Sequence, residues 1–303
     1  MKRSLIIFMV LILCCITTSC YTTIEKIPVE EYQKLEGEEP YTEGDGTIDN
    51  PYVIDTKGKL IYLSNQTNEN KGNDLYYELQ ADIDLEGINW NPIHYFKGYF
   101  NGNGYEISNF IIKNKYPSYK YYINFIGLFE FNDGTIERLG VTNFVIDMYW
   151  TRKGMHPTIG GIAGKNYNVI KDCYVIGRIS MESLGIVGAG NINPSIYAFV
   201  GDIAGTNYTY SSEMKAEIIN CYSNVDVNDA IISHGWYNEI AFQYTEIVAG
   251  DDRVTKGKNI NCAISGYEKK EYYINELGWS EDIWDFDNPE FQNGGYLKLK
   301  RNK

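Results

Sequence analysis

Five stretches of the chain align with one another. They are GYFNGNGYEISNFIIKN from Gly98, GLFEFNDGTIERLGVTN from Gly127, GIAGKNYNVIKDCYVIG from Gly161, DIAGTNYTYSSEMKAEIINCYSN from Asp202 and IVAGDDRVTKGKNINCAIS from Ile247. Leu128, Ile162, Ile203 and Val248 share a column, and Phe100, Phe129, Ala163, Ala204 and Ala249 share the next. Asn103, Asn132, Asn166 and Asn207 form another, with Asp252 as a weaker member. Ile107, Ile136, Ile170 and Ile218 follow, and Asn259 takes that place in the last stretch. Then come Phe110, Leu139, Cys173, Cys221 and Cys262, and after one further residue Ile112, Val141, Val175, Ser223 and Ile264.

The last two columns alternate as a strand does, with both residues on one face. The Gly and Asn positions upstream are turn material. A unit this small cannot bury its own apolar face, so neighbouring units must stack. The expectation is an all-β parallel solenoid with ladders of Ile, of Leu and Cys, and of Asn inside it. An antiparallel sandwich is the alternative. In the solenoid Cys173, Cys221 and Cys262 are small apolar filler. Directly stacked strands stand about 4.8 Å apart, without the geometry a disulfide needs.

GGIAGKNYNVIKDCYVIG and GDIAGTNY…IINCYSN resemble the GLUG motif, which recurs in tandem on bacterial surface and secreted proteins. GLFEFNDGTIERLGV is similar to the first coil of such arrays. GTIDNPYVIDTKGKLIYLSN, ADIDLEGINWNPI and FKGYFNGNGYEISNFII resemble their lead-in. The resemblance covers residues 46–265 and implies a right-handed parallel β-helix displayed outside the cell. It does not fix an activity. Some relatives are zinc peptidases that cleave immunoglobulin A, but this chain has no His-Glu-x-x-His run.

The opening MKRSLIIFMVLILCCITTSC has Lys2 and Arg3, a short apolar run and small residues before a cut, as an export signal does. It resembles a bacterial lipoprotein signal over residues 1–19, with Cys20 receiving the lipid. Thr17 departs from the usual Leu of that pattern. Cleavage removes two cations and no acid, moving the formal charge from −13 to −15. So acidic a chain repels phosphate backbones, and nucleic acid is not an expected partner. Membrane attachment should come through the lipid. Residues 20–45 read as an acidic tether, 46–265 as the β-helix and 266–303 as a C-terminal cap. Within the lead-in, Lys57–Asn68 suits a short helix closing the first coil. In the tail, Trp279 and Trp284 belong to the cap or to an aromatic ligand patch.

No nucleophile elbow, phosphate loop or dinucleotide turn occurs, so neither a catalytic site nor a cofactor is expected. His94, His156 and His234 read as loop or insert residues. Asp82, Asp84 and Glu86 in DIDLEG suit a solvated strand face or a calcium site. Glu130, Asp172 and Asp202 are the candidates for paired-carboxylate chemistry. The inserts say more. KNKYPSYKYYINF, DMYWTRKG and HGWYNEIAFQY concentrate Tyr and Trp. Tyr119, Tyr121, Tyr122, Trp150 and Trp236 are the expected ligand contacts, for a protein or a glycan. The expected function is that of an exported, lipid-anchored, adhesin-like module. A carbohydrate-active enzyme and a structural envelope spacer are the alternatives. Metabolic labelling with a fatty acid should mark the full chain and not Cys20→Ala; equal labelling of both refutes the anchor.

Overall fold

The computed structural model describes residues 34–68, 74–114, 125–150, 157–183, 196–208, 216–230, 240–245, 258–260, 262–264 and 269–302. The fold is mostly β, and four of its sheets are parallel throughout. The first sheet runs through Tyr52–Ile54, Tyr76–Leu79, Tyr99–Asn101, Thr135–Glu137, Val169–Lys171, Glu217–Ile219 and Lys258–Ile260. The second holds Ile83–Asp84, Glu106–Ser108, Gly140–Trp150, Tyr174–Ser183, Tyr222–Ala230 and Ala263–Ile264, with Ile111–Asn114 also pairing Gly140–Trp150. The third holds Phe125–Ile126, Thr158–Ile159, Ile196–Gly201 and Ile240–Thr245. The fourth holds Ile93–Phe96, Phe129–Asn132, Ala163–Asn166 and Ala204–Asn207. From Thr135 to Asn207 the chain takes the sheets in the order first, second, third, fourth, and then does so again.

The columns of the sequence are the ladders of these sheets. Ile136 pairs with Ile170, Ile170 with Ile218, and Ile218 with Asn259. Val141, Val175, Ser223 and Ile264 pair in series. Phe129 pairs with Ala163, and Ala163 with Ala204. Ile136, Ile170, Ile218, Val141 and Val175 are fully buried, and each such apolar side chain contributes about 1.5–3 kcal/mol. Asn132 donates from Nδ2 to Oδ1 of Asn166 at 2.7 Å, and Asn166 does the same to Asn207 at 2.8 Å. All three are buried. A buried amide is costly unless bonded, and here each one bonds the next.

Cys173, Cys221 and Cys262 follow Leu139 in the ladder, since Tyr174, Tyr222 and Ala263 donate to the carbonyls of Leu139, Cys173 and Cys221. They are thiols, and Cys173 and Cys221 are fully buried. The Sγ of Cys173 lies 3.1 Å from the Lys171 carbonyl, and that of Cys221 3.2 Å from the Ile219 carbonyl. Arg138, Asp172 and Asn220, each just before this column, are left-handed, with φ of 53°, 51° and 50°. Asp and Asn tolerate that conformation better than most residues.

The first of the five stretches sits in a different register from the one the alignment assigns it. Phe100 pairs with Ile136, not with the Phe129 column, which is met instead by Ile93. Ile107 pairs with Val141, and Ile112 with Ile146. Phe110 stacks on Phe144, with centroids 5.6 Å apart, rather than over Leu139. Phe96, not Asn103, meets Asn132. Phe100 already lies in a first-sheet strand, one strand beyond its aligned place, and the turn after Asn101 carries left-handed Asn103 (φ 51°) and Gly104 (φ 83°). The Gly, Asn, Ile and Phe spacing of that turn mimics the repeat by coincidence.

Helix α1 (Lys57–Asn68) forms where expected. Thr56 accepts the Lys59 N–H at 3.2 Å, and Leu60, Ile61 and Leu63 enter the core. The expected tether is docked from Lys34 onward. Asn65 exchanges bonds with the Leu35 backbone, and Glu39 donates to the Gly58 carbonyl at 3.0 Å. Gly58 permits this approach, since a Cβ there would lie 2.7 Å from that of Glu39. Tyr41 stacks on Tyr52 at 4.6 Å. Charge alone marked this segment as solvated; its sparse Leu and Tyr are what dock it.

The tail lies along a flank. Tyr273, Trp279, Trp284, Phe286, Phe291, Leu297 and Leu299 cluster with Tyr174, Ile176, Tyr222 and Ala263 on the face of the second sheet away from Val175. Trp279 and Trp284 are buried here, stacked at 4.4 Å, so they form no ligand patch. Gly140 leaves room for the Tyr174 ring, which a Cβ would meet at 2.5 Å. Tyr174 donates to Glu106 at 2.7 Å, and Lys298 pairs with Glu106 at 3.3 Å. Burial opposes ionisation of Glu106, yet Tyr174, Lys298 and Thr142 together hold its carboxyl below the ordinary value. Arg138 donates to the Lys300 carbonyl at 2.8 Å, Arg301 pairs with Asp82, and Asn302 bonds Asn103. The tail is thus a lateral strap rather than an end cap.

The Asn ladder sets a stability test. Asn166→Ala removes both amide–amide bonds of the buried ladder, to Asn132 and to Asn207, and should cost about 2–4 kcal/mol in urea unfolding. Asn168→Ala, at a half-buried position, should cost about 1 kcal/mol or less.

Candidate functional site

The fourth sheet carries a run of neighbouring aromatic rings along its edge. Tyr95, Phe131 and Lys165 occupy one register position of it, and Asn132, Asn166 and Asn207 hold the ladder position that follows in the last three strands. Tyr167 and Tyr208 come directly after Asn166 and Asn207. The Asn side chains bond inward, and the next residue leaves the strand as a ring. Tyr95 and Phe131 centroids are 5.8 Å apart, Phe131 and Tyr167 6.1 Å, and Tyr167 and Tyr208 6.2 Å. Successive passes of the chain therefore lay rings in one row. Phe125, at the start of a strand of the third sheet, joins it 4.5 Å from Phe131. Tyr95, Phe125, Phe131 and Tyr208 are half-buried, with part of each exposed.

Lys165 sits within the row. Its Nζ lies 5.3, 4.9 and 5.0 Å from the ring centroids of Phe125, Tyr167 and Tyr208. Such contacts contribute about 0.5–2 kcal/mol, more as water is excluded. Burial pushes its ammonium below the ordinary Lys value. At the other end Lys97 stands 5.2 Å from the Tyr95 ring. Tyr95 donates to Asp133 at 3.2 Å.

Beside the row lies an acid and base pair. His94 is a strand residue of Ile93–Phe96, not a loop residue. Its Nδ1 is 2.5 Å from Oε2 of Glu130, which is only 4% exposed. The hydrogen bond to Glu130 raises the imidazole pKa, against burial, which lowers it.

The expected carboxylates are not solvated, nor do they form a common group. Asp172 and Asp202 are each 1% exposed. Asp172 bonds Asn220 at 3.1 Å, and burial raises its carboxyl pKa. In DIDLEG, Asp84 accepts from the Glu86 N–H and from Asn109, and Asp82 pairs with Arg301. Among the described residues, no three of His, Cys, Asp and Glu stand close enough to hold a metal ion. Cys20, Tyr119, Tyr121, Tyr122, His156, Trp236 and His234 lie outside the described residues, as does the side chain of Trp150. The row itself went unread in the sequence. Its signal was a Tyr placed directly after the ladder Asn in both KNYN and TNY.

No family model matches the chain. It is 34% identical over 144 residues to a protein of Evansella cellulosilytica named "Putative Gly-rich membrane protein", covering 44% of this chain and 15% of the relative. It is 35% identical over 109 residues to a protein of Haloquadratum walsbyi named "Halomucin", covering 32% of this chain and 1% of the relative. The chain thus spans a small part of the curated relatives it matches. Among solved structures, one titled "putative immunoglobulin A1 protease" from Bacteroides ovatus superposes with a TM-score of 0.40 at 17% identity, over 90% of this chain and 100% of that one.

The His94–Glu130 pair sets a pH dependence. A His with a raised folded-state pKa contributes stability that is fully present below its unfolded value of about 6.5 and is lost as pH rises through the folded value. The stability advantage of wild type over His94→Gln should therefore shrink as pH rises above about 6.5, read as the difference in Tm.

Proposed function

We propose that the chain is a right-handed parallel β-helix of the GLUG-resembling kind. It is held at a bacterial surface by a lipid on Cys20, and binds a protein or glycan without catalysing a reaction. Support for the helix is the repeated passage through four parallel sheets with like residues paired. Support for a surface location is the naming of relatives as a membrane protein and a halomucin.

The observation that carries the binding reading is the row of rings on the fourth sheet. Flat, partly exposed aromatics offer large contact area at little entropic cost, to a protein or to the face of a sugar. The Tyr- and Trp-rich inserts fit the same reading. The described strands before residues 115–124, 151–156, 184–195 and 231–239 pair within the second sheet and those after them within the third, so the four inserts connect the same two sheets. That is how a stacked fold gathers loops for recognition. A carbohydrate-active enzyme has less support, because Glu130, Asp172 and Asp202 are buried on separate strands or turns.

The test replaces Tyr119, Tyr121, Tyr122, Trp150 and Trp236 with Ala together in the full chain. Binding to cells, glycan arrays and protein arrays should fall about tenfold or more, with the Tm unchanged. Undiminished binding removes the inserts from the interface.

A further inference from the structure

The row differs from a plain apolar surface in its charge. In a chain of formal charge −13, a cation near acids would normally be paired. Among the described residues no carboxylate pairs with Lys165, whose neighbours are rings. Lys97 likewise has no carboxylate partner among them, and it stands over Tyr95 at the far end. The nearby carboxylates are engaged otherwise, Glu130 with His94 and Asp133 with the Tyr95 hydroxyl. We propose that the row binds an acidic saccharide chain, whose ring faces stack on Tyr95, Phe131 and Tyr208 while its carboxylates meet Lys165 and Lys97. This rests on the binding-module reading and names its ligand class.

Three features favour that occupant. The rings recur at 5.8 to 6.2 Å with planes tilted by 52°, 4° and 82°, so a narrow line of faces and edges crosses successive strands, as an extended chain could follow. The two cations stand at different points of it, matching an anion carried on more than one unit. Lys165 is half-buried and partly desolvated, where a carboxylate partner gains more than it would in open water. An acidic peptide could meet the cations, but it offers no run of flat apolar faces to the rings.

Calorimetry on the full chain in detergent, with oligogalacturonate and hyaluronan oligosaccharides, tests this. Both should bind about tenfold or more tightly than their methyl esters, and affinity should fall as salt rises from about 0.05 to 0.5 M. Lys165→Met keeps the apolar stem and should erase the preference for acid over ester, whereas Lys165→Arg should retain it. Phe131→Ala should weaken acid and ester alike. Equal affinity for acid and ester, an unchanged Lys165→Met, no binding of acidic saccharides, or equal binding of polyglutamate each overturns the proposal. If Lys165→Met does not fold, Lys97→Met and the salt response decide the outcome. Binding of cells or neutral glycans without acidic saccharides would sink this inference and leave the module reading standing. Binding of nothing on cells or arrays would sink both.

Discussion

The amide of Asn166 gives its proton to Asn207 and its oxygen to Asn132. That exchange works only if the three residues recur at one register position on neighbouring parallel strands. A side chain with both donor and acceptor can satisfy itself against copies of itself, whereas a carboxylate or an ammonium would repel its neighbour. The same in-register demand selects Ile on the first sheet and small residues such as Ala163 and Ala204 on the fourth. Shifting one strand by one residue would break the amide chain and expose the Ile ladder together.

The corners carry the conformational cost. Arg138, Asp172 and Asn220 are left-handed at equivalent turns, where Asn is the easiest choice and Arg the hardest. Arg138 is used all the same, and its guanidinium reaches the Lys300 carbonyl. The flank there is covered by the strap, while the fourth sheet leaves its rings partly exposed. Faces of like construction are thus put to different uses, by what lies over them rather than by the ladders beneath.

The ladders were legible because they repeat. Ile136, Ile170 and Ile218 announce one column, and the Cys residues another, in letters alone. Helix α1 was legible for a different reason, a cluster of Leu60, Ile61 and Leu63 ahead of polar residues. What could not be read was set by single features whose partners lie elsewhere in the chain. The turn at Asn103 and Gly104 imitated the rhythm of the repeat although the strands around it sit one place further on. The docking of residues 34–45 depends on Leu35 and Tyr41 meeting a surface far along the chain, and local composition is blind to that. The ring row was half visible. Each Tyr could be seen beside its Asn, but Phe131 and Tyr95 precede the ladder position or its equivalent rather than follow it, so only three dimensions join them. The buried acids were misjudged because Asp172 sits in a turn, where acids are usually wet.

The strap has a topological outcome. It begins beside Ala263, late in the stack, and ends with Arg301 against Asp82 and Asn302 against Asn103, near its start. Any polypeptide joined beyond Lys303 would depart from the neighbourhood of the earliest strands, on the side where the chain itself enters. The last described strands, Lys258–Ile260 and Ala263–Ile264, lie at the other end of their sheets from the strands that the strap's final residues meet. A protein fused after Lys303 would sit beside the earliest described strands rather than the last.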